Sequence, residues 1–424
     1  MLTRRSLFGS VIATAAFRND TLNLVEALFG KLSGGPDAVA EDEDFWGQIQ
    51  EAFTLDRNVV NFNNGGCCPS PRVVLDVLRR QIEFSNQAPS LYMWQNLEPE
   101  VESVRRRLAA TFGCDAEEMA ITRNASESLE ICLQGLPLQA GDEVLTTFLD
   151  YPRMITTIQQ RSRREGIKMV QVRVPAVPKS PSEITRAFES GITDKTKLML
   201  TSHVVFMNGQ INPVREIVEL GAKHGIPVIV DGAHAFAQFP FKRDDLQCEY
   251  YGTSLHKWML APIGTGFLYV KKDKIPGLWP LMAAGETQTA DIRKFEEIGT
   301  HPAANHNAIG EAITFHEMMG SERMAARLRY LRKRWTSRIQ EYRNVHFFTN
   351  LDPVHSCGLT TVGIDGMKPG DLGSWLMTKH NIYVTTIVND QFAGIRVTPN
   401  VYTTTSEIDR FADAMILAAT KGIA

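Results

Sequence analysis

The chain has 424 residues, 43% hydrophobic and 22% charged, enough for one large α/β domain and a smaller one. That balance excludes a disordered chain, a collagen-like repeat and a disulfide scaffold. Against 45 basic side chains stand 48 acidic ones, a net charge of −3, and no basic stripe is present. A small-molecule ligand is therefore expected, and no nucleic-acid partner.

In chain order, the amino terminus comes first. Arg4 and Arg5 precede an apolar run from Leu7 to Phe17, with Ala13 and Ala15 as small residues near a cleavage point. This resembles a twin-arginine export signal over residues 1–17. Such signals carry folded proteins, which predicts export to the periplasm; a cytoplasmic protein with a basic start is the alternative. The run is too short to span a bilayer, and no later run approaches the ~18 apolar residues a membrane helix needs. Residues 18–60, which include the acidic linker Gly34 to Asp44, are assigned to a segment that joins the smaller domain.

Residues 71–85 and 98–112 are predicted helices, because Val, Leu and Ile recur every three or four positions among Arg and Glu. Strand and helix then alternate. The predicted strands are Met119–Thr122, Glu143–Thr147, Lys168–Val172, Lys197–Ser202 and Pro227–Val230. The predicted helices between them are Glu127–Gln134, Arg153–Arg164, Ser182–Glu189 and Val214–Lys223. Such alternation implies βαβ units and a largely parallel sheet covered on both faces. A further buried strand spans Gly264 to Val270, after which Pro276, Gly277 and Pro280 break the pattern, so the large domain is placed at 61–285 and a smaller α+β domain at 286–424. In the latter, Ala308 to Tyr342 reads as helix, and HSCGLTTVGI and NIYVTTIV read as strands.

No metal cage is expected. The six cysteines (Cys67, Cys68, Cys114, Cys132, Cys248 and Cys357) form no C-x-x-C pair and read as buried free thiols, and His301, His306 and His316 lack ligand spacing.

The chemistry gathers at two places. GIPVIVDGAHA puts Asp231 at the carboxyl end of an apolar strand, where ligands bind in open α/β sheets. A carboxylate there can hold a pyridine-type nitrogen protonated, or simply cap a helix. Further on, YGTSLHKWM carries Ser254, His256 and Lys257 between two strand-like runs. A lysine so placed can form a Schiff base with an aldehyde cofactor while the serine and histidine hold a phosphate. A lone loop lysine is usually a surface lysine, but this one follows a strand-end Asp-Gly-Ala-His.

With DGAHA and S-x-H-K in view, the chain from about Asn61 to its end resembles the class V aminotransferase family of fold type I pyridoxal-phosphate enzymes, nearest its isopenicillin N epimerase-like branch. The resemblance implies a large domain with a mostly parallel seven-stranded sheet, pyridoxal 5'-phosphate as cofactor, an amino-acid substrate and a homodimer. It assigns Lys257 as the Schiff-base lysine, Asp231 as the partner of the pyridine nitrogen, and His234 as the residue beside the ring. In TRNASESLEICLQGL a strand end and polar turn open a helix whose N-terminus is a ready anion site. The family's phosphate cradle carries over to Ala125 and Ser126, with Asn124 a further candidate, though Asn124 or Ser126 could be a plain cap. Tyr151 matches the aromatic stacked on the cofactor, or is a core aromatic before Pro152. Arg396, on a strand-like run before a helix signalled by Thr405 or Ser406, matches the clamp for a substrate carboxylate. Thr300 in GTHP matches a threonine reaching the neighbouring subunit's phosphate, and Asn64 in NFNNGGCC a residue near the substrate. Where relatives often carry an asparagine against the phenolic oxygen, Phe206 stands here, with Asn208 or His203 as candidate substitutes.

The cofactor supports racemisation, transamination and β-elimination alike. A desulfurase needs a cysteine shortly before the carboxylate arginine, and Gly358 to Ile395 contains none. Epimerase or aminotransferase is therefore expected, with a carbon–sulfur or carbon–carbon lyase as alternative and a catalytically silent binding protein as the reading from another class.

Overall fold

The computed structural model describes residues 34–423, so the segment 1–17 and the first part of 18–60 lie outside the described residues. The strands, in chain order, are β1 (Val60–Asn61), β2 (Met119–Thr122), β3 (Glu143–Thr147), β4 (Lys168–Val172), β5 (Thr196–Ser202), β6 (Val228–Asp231), β7 (Tyr250–Ser254), β8 (Gly266–Val270), β9 (Val345–Phe347), β10 (Thr360–Ile364), β11 (Ile382–Tyr383), β12 (Thr385–Val388) and β13 (Ala393–Val397).

Seven of them form one sheet in the order β2-β8-β7-β6-β5-β3-β4. From β7 through β4 the pairing is parallel, and only β8, inserted between β7 and β2, runs antiparallel to both neighbours. Every residue of β6 is buried, and its side chains alternate between two cores. Val228 and Val230 pack into one, Ile229 into the other. Burying each such side chain contributes roughly 1.5–3 kcal/mol, so a strand apolar on both faces is stable only with helices on both sides.

The strand Tyr250–Ser254 departs from expectation: the sequence reads there as a hydroxyl-rich connection, yet all five residues are buried in the sheet. Its glycine explains why. A Cβ on Gly252 would sit 2.8 Å from Ser128 and 3.0 Å from Leu129, so the missing side chain lets helix Ala125–Gly135 lie directly on the sheet.

The smaller sheet is antiparallel, β12-β13-β10-β9, and is covered by helices Pro369–His380 and Thr405–Lys421. Trp335, Val362, Ile395 and Phe411 fill its core. The last helix begins one residue earlier than expected, because Thr404 is its cap and forms a capping box with Glu407. NIYVTTIV divides into β11, which pairs in parallel with β1, and β12. The stretch from Ala308 to Tyr342 is two helices, Ala303–Met319 and Ser321–Ile339, separated at Gly320. The first of these packs on Arg72–Gln87 and Glu98–Phe112 and shares the large core, because its buried Ile309, Ile313 and Phe315 face the same apolar cluster.

Candidate active site

At the carboxyl ends of the parallel strands lies a cavity of about 550 Å³. Ala125, Ser126, Tyr151, Asp231, His234, Ser254, His256 and Lys257 all line it, so four segments scattered along the chain meet in one place. The strand ends supply most of them, because in a parallel sheet every strand finishes at the same edge.

Asp231 is the last residue of β6 and is 7% exposed. Its Oδ1 accepts from the Ala233 N–H at 2.9 Å. Burial pushes this carboxyl up to about 6, against the pull of that hydrogen bond and of the Lys257 charge. Lys257 sits in the bend after β7, which buried Leu255, Trp258 and Met259 anchor. Its Nζ lies 3.1 Å from His234 Nε2. Burial lowers the lysine to about 8 and holds His234 well below its ordinary value, so the imidazole is neutral.

The phosphate cradle expected at Ala125 and Ser126 falls at the start of helix Ala125–Gly135. Asn124 caps that helix, its side chain accepting from the Glu127 N–H at 2.9 Å, so the capping reading of Asn124 holds. Ser254 Oγ accepts from the Ala125 N–H at 3.0 Å, which brings the end of β7 against the helix terminus. His256 Nδ1 faces the Thr265 carbonyl at 3.3 Å. A carbonyl only accepts, so Nδ1 carries the proton and Nε2 keeps its lone pair. Tyr151, 40% exposed, meets Phe206 edge to face with centroids 5.2 Å apart.

Arg396, on β13 and buried, donates from Nη1 to the Phe206 carbonyl and from Nη2 to Asn63 Oδ1, each at 2.8 Å. It is not itself among the cavity-lining residues: it lies behind Phe206 of the cavity wall and faces the turn after β1 rather than solvent.

Three expectations are corrected. Asn64 does not line the cavity: it is fully buried and its Nδ2 donates to the Asn61 and Thr398 carbonyls, while its Oδ1 accepts from the Tyr402 hydroxyl. Its neighbour Asn63 is the one that reaches Arg396. Neither Asn208 nor His203 lines the cavity either, since Asn208 donates to the Ala176 carbonyl and His203 packs among Phe239, Phe241 and Tyr251. Phe206 and Val204 form that wall. Cys67 is exposed and Cys114 partly so; the other cysteines are buried, and all are free thiols. Thr300, expected to serve a neighbouring subunit rather than its own chain, is exposed and lines a different cavity, with Trp94, Arg105 and His301. Among the described residues no His, Cys, Asp and Glu group could hold a metal.

The sequence reading also missed Asp150. Its buried carboxylate accepts from Thr146, from the Thr147 N–H and hydroxyl, and from the Ser202 N–H and hydroxyl, tying β3 to β5 beneath the cavity. Its position in FLDYP, one residue before Tyr151, was the available signal.

The chain belongs to the class V aminotransferase family. The family model, aminotransferase class-V, matches residues 60–411. An isopenicillin N epimerase of Streptomyces clavuligerus is 27% identical over 87% of this chain and 97% of its own length. Another, of Amycolatopsis lactamdurans, is 28% identical over 87% and 98%. A cysteine desulfurase of Haloferax volcanii is 25% identical over 74% and 78%. Among solved structures, a C-DES mutant with glycine covalently linked to its PLP cofactor superposes at a TM-score of 0.75, with 24% identity over 85% of this chain and 98% of that one. The cysteine desulfurase CsdA of Escherichia coli gives 0.76, with 17% identity over 89% and 99%.

The donor set fits pyridoxal 5'-phosphate, the cofactor of this family. A buried carboxylate suits the pyridine nitrogen, a helix terminus with a serine and a histidine suits the phosphate, and an amine of lowered basicity suits the aldehyde.

Proposed function

We propose that this protein removes the α-proton of an amino acid with Lys257 on one face of the α-carbon, and that epimerisation, completed by a proton delivered to the opposite face, is its reaction, with transamination as the closest variant. The observation that carries the reading is the Lys257 Nζ 3.1 Å from His234 Nε2 in a cavity that also holds Asp231. Pyridoxal phosphate, when bound, supplies an electron-withdrawing ring that eases loss of the α-proton of the amino acid attached to it.

The chain's own residues do the rest. Lys257 would hold the cofactor through its Nζ, and the same Nζ, when free, would take the α-proton. Neutral His234 hydrogen-bonds that amine and keeps it at the cavity. Asp231 holds a negative charge in an apolar strand end, where it keeps a proton on the facing ring nitrogen. Ala125, Ser126, Ser254 and His256 would hold the phosphate, Tyr151 would pack on the ring, and Arg396 would take the substrate carboxylate. Thr300 completes the phosphate site of a second copy in a homodimer. Desulfurase chemistry is disfavoured, because Cys357 is buried and no cysteine lies from Gly358 to Ile395. The segment 1–17 supports export of the folded holo-protein, and among the described residues no helix is long and apolar enough to cross a membrane.

The test is a panel of single-enantiomer amino acids, offered with and without pyruvate in deuterated water. Epimerisation gives α-deuterium and inversion without pyruvate; keto acid formed only with pyruvate indicates transamination; sulfide or ammonia with pyruvate production indicates a lyase. Lys257→Ala is expected to keep the fold, lose borohydride-trappable cofactor and lose α-exchange by several orders of magnitude. Trapping on another lysine would overturn the assignment.

A further inference from the structure

The turn Asn61–Gly66 is bonded along the end of β13. Asn63 bridges to Thr398, the Thr398 N–H donates to the Phe62 carbonyl at 2.8 Å, and the Gly65 N–H donates to Thr398 Oγ1 at 3.0 Å. Glycine at 65 lets the turn pass between two site residues: a Cβ there would stand 3.2 Å from His234 Cε1 and 3.5 Å from Arg396 Nη2.

Held this way, Asn63 presents its amide oxygen to Arg396. That arginine is 5% exposed, and among the described residues no carboxylate pairs with it. Its acceptors are two neutral oxygens, the Phe206 carbonyl and Asn63 Oδ1, and its Nε has no partner. A buried cation normally carries a counter-ion, because desolvating an unpaired charge costs several kcal/mol. Here the chain fixes the guanidinium's plane and leaves its charge uncompensated.

We infer that Asn63 is a positioning residue that orients Arg396 with a neutral acceptor, and that its being asparagine rather than aspartate reserves the guanidinium charge for the substrate's α-carboxylate. The inference rests on the proposed role of Arg396. An aspartate at 63 would keep the acceptor and the shape but place a carboxylate on the same nitrogen. As mere structural support it would serve as well or better, since an ion pair is stronger than a neutral hydrogen bond.

The experiment titrates holo-protein with glycine and with glycinamide, which lacks the carboxylate, and follows the cofactor absorbance. The wild type, Asn63→Asp and Asn63→Ala are compared, with thermal unfolding as a check on the fold. We expect the wild type to prefer glycine, and Asn63→Asp to lose that preference by at least tenfold while binding glycinamide normally and melting no lower. Asn63→Ala should weaken glycine by about ten- to a hundredfold, the loss of one hydrogen bond to a charged group. A wild type that binds both probes equally overturns the carboxylate role of Arg396 and this inference with it. A wild type that prefers glycine, beside an Asn63→Asp variant with the same preference, overturns the inference alone.

Discussion

Lys257 shows how burial sets chemistry at a single residue. Lowered to about 8, it is the free amine in roughly one molecule in ten at neutral pH, against about one in three thousand for a lysine of ordinary basicity. Only the neutral amine attacks an aldehyde, so the cofactor-free protein should capture pyridoxal phosphate at a rate that rises with pH and levels off above about 8. Stopped-flow absorbance of reconstitution between pH 6 and 11 checks this; a rate still climbing tenfold per unit past pH 9.5 would show a lysine of ordinary basicity. The place of this residue in the cavity was legible because Asp-Gly-Ala-His and Ser-x-His-Lys are local patterns. The Asn63–Arg396–Phe206 contact was not, since its members come from three distant segments and meet only through the pairing of β1, β5 and β13 with their neighbours.

At the scale of elements, periodicity located β2, β3 and β4 to the residue, because apolar runs bounded by polar turns admit few other readings. Tyr250–Ser254 escaped because its hydroxyls and glycine resemble a loop; only the neighbouring strands and the helix lying on Gly252 make it a strand. The same close packing positions the helix start proposed to hold the phosphate. On β8, a Cβ at Gly266 would lie 2.5 Å from the Thr253 carbonyl oxygen and 2.7 Å from Asn124 Cα, both of them backbone. Gly266→Ala must therefore push the Asn124 turn off the sheet. We expect a loss of about 1–3 kcal/mol of stability from overpacking, together with weaker cofactor binding because the helix N–H groups move with the turn. Thermal unfolding and a pyridoxal phosphate titration of the reduced-occupancy protein measure the two. Unchanged affinity with lowered stability would mean the turn does not set the cradle.

For the whole molecule, the placement of Thr300 matters most. Within one chain it lies outside the Lys257 cavity, on a segment fixed to the body by Arg105 with Glu296 and by Arg293 with Glu102 and Glu117. Nearby Trp94, with Trp279, Leu281 and Met282 of the segment that reaches the Lys257 cavity, leaves large apolar side chains in water. If a second copy covers them, Thr300 can donate its hydroxyl across the interface to the partner's phosphate. Loss of that bond in Thr300→Val costs roughly 1.5–3 kcal/mol, or about ten- to a hundredfold in cofactor affinity. A mixing experiment separates this from an effect within the chain. Lys257→Ala subunits and Thr300→Val subunits are each expected to be inactive at low cofactor concentration. In a hybrid dimer with the contact made across subunits, one site combines the Lys257→Ala chain with the threonine-lacking partner and carries both lesions. The other site draws its lysine and its threonine from intact positions and is wild type. Mixing should then restore up to half the wild-type activity per hybrid, and the cofactor affinity of the unmixed wild type should fall on dilution as dimers dissociate. A contact made within one chain would give each hybrid site a single lesion, and no activity would return even after subunits had demonstrably exchanged.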